Sequence, residues 1–185
     1  STKDANDFVK LFSRIEKYES IADNMEIEIA KYLDQVSDAH LSDETKDKVR
    51  AMLREISELE SIGDSCYHIA RTINRKYTEK EEFTADQYEH LHQMFALTDQ
   101  SMEEMEHALI EHKTDIDINR SFNIENEINN YRNQLRSRNT IDVNDHKYTY
   151  AIGTMYMDII NECERVGDYV VNVVEARTGK KKNEA

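Results

Sequence analysis

The sequence predicts an all-α protein, a bundle of about five long antiparallel helices, and three observations carry that prediction. The 185 residues contain no proline and only four glycines, so little interrupts a helix. Charged residues make up 34% of the chain, and apolar ones recur at spacings of three and four, the mark of helices with one buried stripe. Finally, the chain repeats itself: a helix pair near the start overlays a helix pair near the end. At this length one domain, 1–185, is expected.

The first helix is expected from about Asp4 to Val36, with Phe8, Phe12, Ile15, Ala22, Met25, Ile29, Tyr32 and Val36 inward. Ser37 to Ser42 connects it to a second helix, about Asp43 to Arg75. There Val49, Met52, Leu53, Ile56, Leu59, Ile62, Cys66, Ile69 and Ile73 face in. Lys76 to Phe83 reads as a charged loop. Thr84, with Gln87 three residues on, reads as a capping box opening a third helix to about His112. A tight connection near Thr114 leads to a fourth helix, about Ile116 to Arg138, and Asn139 to His146 reads as a turn. The last helix, about Lys147 to Arg177, carries the densest apolar stripe, and 179–185 reads as a frayed basic tail.

The repeat sets the architecture. A shift of 104 lays the second helix on the fifth: Glu60 on Glu164, Ile62 on Val166, Gly63 on Gly167, Asp64 on Asp168. A shift of 106 lays the first helix on the fourth, with Glu19 on Glu125 and Asp23 on Asn129. The third helix has no counterpart in the first half. The expected parent is therefore two three-helix halves, about 1–76 and 84–178, with the opening helix of the first half missing. That leaves an apolar face which a homodimer could cover.

A formal net charge of −14 argues against nucleic acid and against adsorption to anionic lipid, and suits cations or basic partner surfaces. Solubility alone would also account for it. No run approaches the roughly 18 apolar residues of a membrane span; the densest patch, Tyr169 to Val174, is broken by Asn172. No signal peptide is apparent, and the start at Ser1, close to a helical pattern, is expected of an excised fragment. Cys66 and Cys163 lie among apolar helix positions and are expected to be reduced and buried.

The unusual feature is one phrase written three times: Glu19-Ser-Ile-Ala-Asp23, Glu60-Ser-Ile-Gly-Asp64 and Glu164-Arg-Val-Gly-Asp168. Its Glu and Asp are four apart, on one helix face, where like charges repel. Its glycines cost about 1 kcal/mol each against alanine inside a helix. Close approach of a neighbouring helix would explain the small residue, and a cation shared by the carboxylates would explain the charge. Glu16 and Glu26 extend the line on the first helix, and His68 extends it on the second. All-oxygen donors suit hard metals: iron(III), manganese, magnesium or calcium. The fourth place reads Glu125-Asn-Glu-Ile-Asn129, whose asparagine removes a charge and predicts a weaker cluster. Against this stands the ordinary reading, in which acids four apart on a helix are solvated.

Two Glu-x-x-His phrases, Glu89 to His92 and Glu104 to His107, raise ferritin-like oxidase chemistry. Both lie on the third helix. Fifteen residues separate them, roughly 22 Å at the helical rise, too far for one dinuclear centre. The sequence holds no phosphate-binding glycine loop and no evident nucleophile arrangement.

The repeated phrases on paired three-helix halves, above all Glu-Ser-Ile-Gly-Asp64 and Glu-Arg-Val-Gly-Asp168, resemble the PhoU domain, a regulator of phosphate uptake. The stretch Glu-Lys-Tyr-Glu19-Ser-Ile-Ala-Asp23-Asn-Met-Glu-Ile-Glu-Ile-Ala looks most like the cytoplasmic PhoU-like tail of bacterial sodium/phosphate cotransporters. The resemblance implies a non-enzymatic, PhoU-like regulatory bundle. Its partner would be the membrane transport domain of the same parent chain, at the cytoplasmic face of the inner membrane. It also implies multinuclear metal clusters, often iron, on Glu19, Asp23, Glu60, Asp64, Glu164 and Asp168, with Glu125 and Asn129 in the degenerate place. The competing expectation is a structural dimerisation bundle without metal.

Overall fold

The computed structural model describes residues 2–37, 41–110 and 118–179. Among these, five helices and no strands are found: α1 (Thr2–Ser37), α2 (Asp43–Glu79), α3 (Ala85–Ile110), α4 (Ile118–Asn144) and α5 (Tyr150–Thr178). The expected connection near Thr114, the middle of the Ser37–Ser42 connection and the tail beyond Gly179 lie outside the described residues.

α5 is the axis of the bundle and packs against α2, α3 and α4. Its sequence explains why. Ile160, Cys163, Val166, Val170, Val173 and Val174 are completely enclosed, so apolar side chains go round most of the helix. A helix of that kind can be stable only with neighbours on several sides. α1 packs chiefly on α2 and is the outermost element.

Local chemistry sets the ends. Ser42 accepts from Thr45 N–H and opens α2, and Thr149 accepts from Ile152 N–H and opens α5. The expected capping box is present: Gln87 N–H donates to Thr84 Oγ1 at 3.2 Å and Thr84 N–H to Gln87 Oε1 at 3.0 Å. Gly179 closes α5 in the left-handed region, at φ +73°.

Two expected loops are helix. α2 continues a further turn through Glu79, because Lys76 is buried rather than solvated. Its Nζ lies 2.9 Å from Glu82 and over the rings of Tyr77, Phe83 and Tyr88. α4 continues from Arg138 to Asn144, and its polar residues are paired rather than turn-forming. Tyr148 donates to Asn139 at 3.0 Å, and buried Asp142 takes Lys147 at 2.6 Å. α5 accordingly begins at Tyr150, three residues later than expected.

The other correction concerns α1. Met25, Ile29 and Tyr32 were expected inward and are exposed. With Tyr18 and Ile21 they form an apolar stripe turned away from α2. Under the shift of 106, Tyr18 falls on Ile124 and Ile29 on Leu135, both buried in a cluster with Leu91 and Met94 of α3. The first half has no helix in the place of α3, so its stripe is bare. On α2, Met52 is likewise exposed.

Candidate functional site

The repeated phrases meet across helix pairs, as their small residues require. A Cβ added to Gly63 would lie 3.7 Å from the Cβ of Ala22, so α1 and α2 pack together at those two positions. A Cβ added to Gly167 would lie 3.2 Å from Ile128 Cδ1. Ile128 is where the shift of 106 places Ala22, so the coordinates reproduce the sequence register at both crossings.

At the first crossing Glu19, Asp23, Glu60 and Asp64 are brought together. Partial desolvation, then the charges of Asp23, Asp64 and Glu16, with a hydrogen bond shared with Asp23, raises the Glu19 carboxyl above its ordinary value. Partial burial does the same for Glu60, reinforced by Glu26, Asp23 and Asp64 and again by a hydrogen bond with Asp23. Asp23 thus acts on both Glu19 of its own helix and Glu60 of α2. His68 Nε2 lies 3.4 Å from Asp64, and its Nδ1 faces Glu162 at 3.8 Å. A cleft of about 670 Å³ opens beside this corner, lined by Glu16, His68, Arg71, Arg75, Glu162 and Arg165 among others.

The donor set is all oxygen and suits a hard cation. Among the described residues, however, no three His, Cys, Asp or Glu side chains already stand in an arrangement that could hold a metal ion.

The second crossing is built differently. Glu125 is buried and accepts from Asn129 Nδ2 at 2.6 Å. Glu164 is not joined by another acid but by Arg132, whose guanidinium donates to it at 2.7 Å, both side chains being largely buried. Asp168 is exposed. Arg132 was absent from the sequence-based set. Its signal was legible: the shift of 106 lays it on Glu26, the residue that presses on Glu60 in the first half.

The Glu-x-x-His phrases stay apart from both crossings. His92 and His107 are exposed, and Glu104 pairs with Arg120 at 2.9 Å. Cys66 and Cys163 are free thiols. A mainly apolar cavity of about 600 Å³ lies where α2 meets α3, lined by Lys76, Phe83, Tyr88 and Leu91 among others.

No helix among the described residues is long and apolar enough to cross a membrane. Comparison with curated proteins and with solved structures returned no match. The family model described as the PhoU domain matches residues 91–176, from Leu91 in α3 through α4 to Ala176 in α5. An all-α five-helix bundle is consistent with that fold. The match covers somewhat less than half of the chain, and over that stretch the chain is similar to the PhoU domain, a family associated with regulation of phosphate uptake.

Proposed function

We propose that this chain is a cation-responsive regulatory domain and that its responsive element is the α1·α2 crossing. The supporting observation is the gathering of Glu19, Asp23, Glu60 and Asp64 at one crossing, where desolvation and their mutual repulsion raise the Glu19 and Glu60 carboxyls above the ordinary value. A cluster that raises its own proton affinity is one that any cation stabilises. Iron, manganese, magnesium or calcium would relieve that repulsion, with Glu19, Asp23, Glu60 and Asp64 as oxygen donors. The cation would neutralise the carboxylates. The residues themselves then fix how closely α1 lies on α2, since Ala22 and Gly63 leave only the Ala22 methyl between the helices. A cation that favours one packing of α1 shifts the domain towards it.

The finer assignment is to a sodium-dependent phosphate transporter, at the cytoplasmic face of the inner membrane, with the transport domain of the same parent chain as partner. It is supported by the likeness of the Glu16-to-Ala30 stretch to such tails. The test of the cation reading is calorimetric titration with Mn²⁺ and Mg²⁺ of the wild type and of Asp23→Asn/Glu60→Gln. Binding in the first and none in the folded second is expected. Equal titrations would refute it.

A second reading is favoured by the bare stripe on α1, with Tyr18, Met25 and Tyr32 each more than half exposed. It makes the chain a homodimer formed through α1. A concentration-dependent melting temperature with no metal or chelator effect would select a dimerisation bundle without metal.

A further inference from the structure

The two crossings are equivalent in register and unlike in charge, four acids in the first against two acids, an asparagine and an arginine in the second. Glu19, Asp23, Glu26 and Glu60 correspond to Glu125, Asn129, Arg132 and Glu164. We infer that the second crossing carries its cation within the chain: the Arg132 guanidinium stands where a bound ion would stand, and the α4·α5 half takes no metal. The part of this concerning metal content rests on the cation reading of the α1·α2 crossing.

The substitutions act together. In the first half the Glu26 and Glu60 charges repel. In the second the same two positions attract, as Arg132 and Glu164 at 2.7 Å. A charge-assisted contact of that length already gives Glu164 the positive charge a metal would bring. Asn129, in the place of Asp23, spends its amide N–H on Glu125 at 2.6 Å, so the buried carboxylate has a hydrogen-bond donor where the first half has a second acid. Two polar atoms of this group are buried without a partner, Asn129 Oδ1 and Arg132 Nε. They are one acceptor and one donor. A metal would gain the acceptor but would face the guanidinium. Ile128 completes the closure. It is fully buried over Gly167, where the first half has only Ala22 over Gly63.

Two measurements test this. The first is Mn²⁺ bound per chain, by native mass spectrometry. Wild type and Glu125→Gln/Glu164→Gln are expected to bind equally. Asn129→Asp/Arg132→Glu, which rebuilds the first-half pattern, is expected to bind about twice as much, the two crossings then being alike. Loss of metal in the glutamine variant, or no gain in a folded Asn129→Asp/Arg132→Glu variant, overturns the inference. The second measurement needs no metal. Arg132→Gln leaves Glu164 largely buried and unpaired, so it should lower the melting temperature more than Arg132→Gln/Glu164→Gln does. Additive effects in that cycle overturn the inference. If the wild type binds no Mn²⁺, the cation reading of the first crossing fails, and this cycle alone decides whether Arg132 is the internal counter-charge.

Discussion

Gly63 faces Ala22 with room for one more methyl group: a Cβ there would meet the Ala22 Cβ at 3.7 Å, ordinary contact distance. Gly63→Ala should therefore stabilise the protein by about 0.5–1 kcal/mol, through helix propensity alone. Gly153 provides the contrast. A Cβ there would lie 2.7 Å from Val143 Cγ2 and 3.0 Å from Asn139 Oδ1. Gly153→Ala should cost about 1–3 kcal/mol, the usual penalty for overpacking. Chemical denaturation of both variants checks the pair of signs.

The acids of the first crossing give stability an unusual pH dependence. Glu19 and Glu60 hold protons more tightly in the folded chain than the ordinary carboxyl does at 4.5. Folding takes up protons between that value and the raised ones. Stability therefore falls as pH rises through this window, and the loss is complete above it. Glu44 and Glu82 act the other way. Hydrogen bonds from Lys48 to Glu44, and from Tyr88 and Lys76 to Glu82, hold them below the ordinary value. Their contribution is lost as pH falls through the lowered values. Chelator-treated protein should melt at a higher temperature near about pH 5 than near about pH 7.5. Glu60→Gln should flatten that difference.

Cys163 should be chemically silent. Burial pushes its thiol up to about 12 and pushes Cys66 in the same direction. Almost no thiolate exists at neutral pH, and the thiolate is the reactive form. Iodoacetamide followed by mass spectrometry should label Cys163 only after the chain is unfolded.

Lys76 should be worth more than a surface lysine. Its ammonium is 5.4 Å from the ring centres of both Tyr77 and Phe83, and its side chain is almost fully buried. Lys76→Ala should destabilise by about 1–3 kcal/mol, combining lost cation–π contact and lost packing of the stem. Lys80→Ala, one turn on and exposed, is the control, although its left-handed backbone at φ 56° adds a small strain for any residue other than glycine.

The helices were legible because apolar periodicity in α3 and α5 coincides with full burial; Met94 and Val170 are examples. The two loops misjudged, after Arg75 and after Arg138, share one cause. Lys76 and Asp142 look solvated in a sequence but find partners in the fold. The stripe of α1 was read correctly as apolar and incorrectly as covered, since periodicity shows a face and not what lies on it. That Glu19, Asp23, Glu60 and Asp64 would meet was legible because near-identical phrases repeat on neighbouring helices. The second was half legible: Asn129 reads as a missing charge, whereas Arg132 lies outside the phrase and stands out only once the shift of 106 is carried past it to Glu26.

The most direct test of the central claim is elemental analysis of protein purified without chelator and dialysed against metal-free buffer. A hard metal should remain with the wild type and be lost in folded Asp23→Asn/Glu60→Gln. Wild-type protein free of metal, or metal retained equally by both, would contradict the assignment of the α1·α2 acids as its ligands.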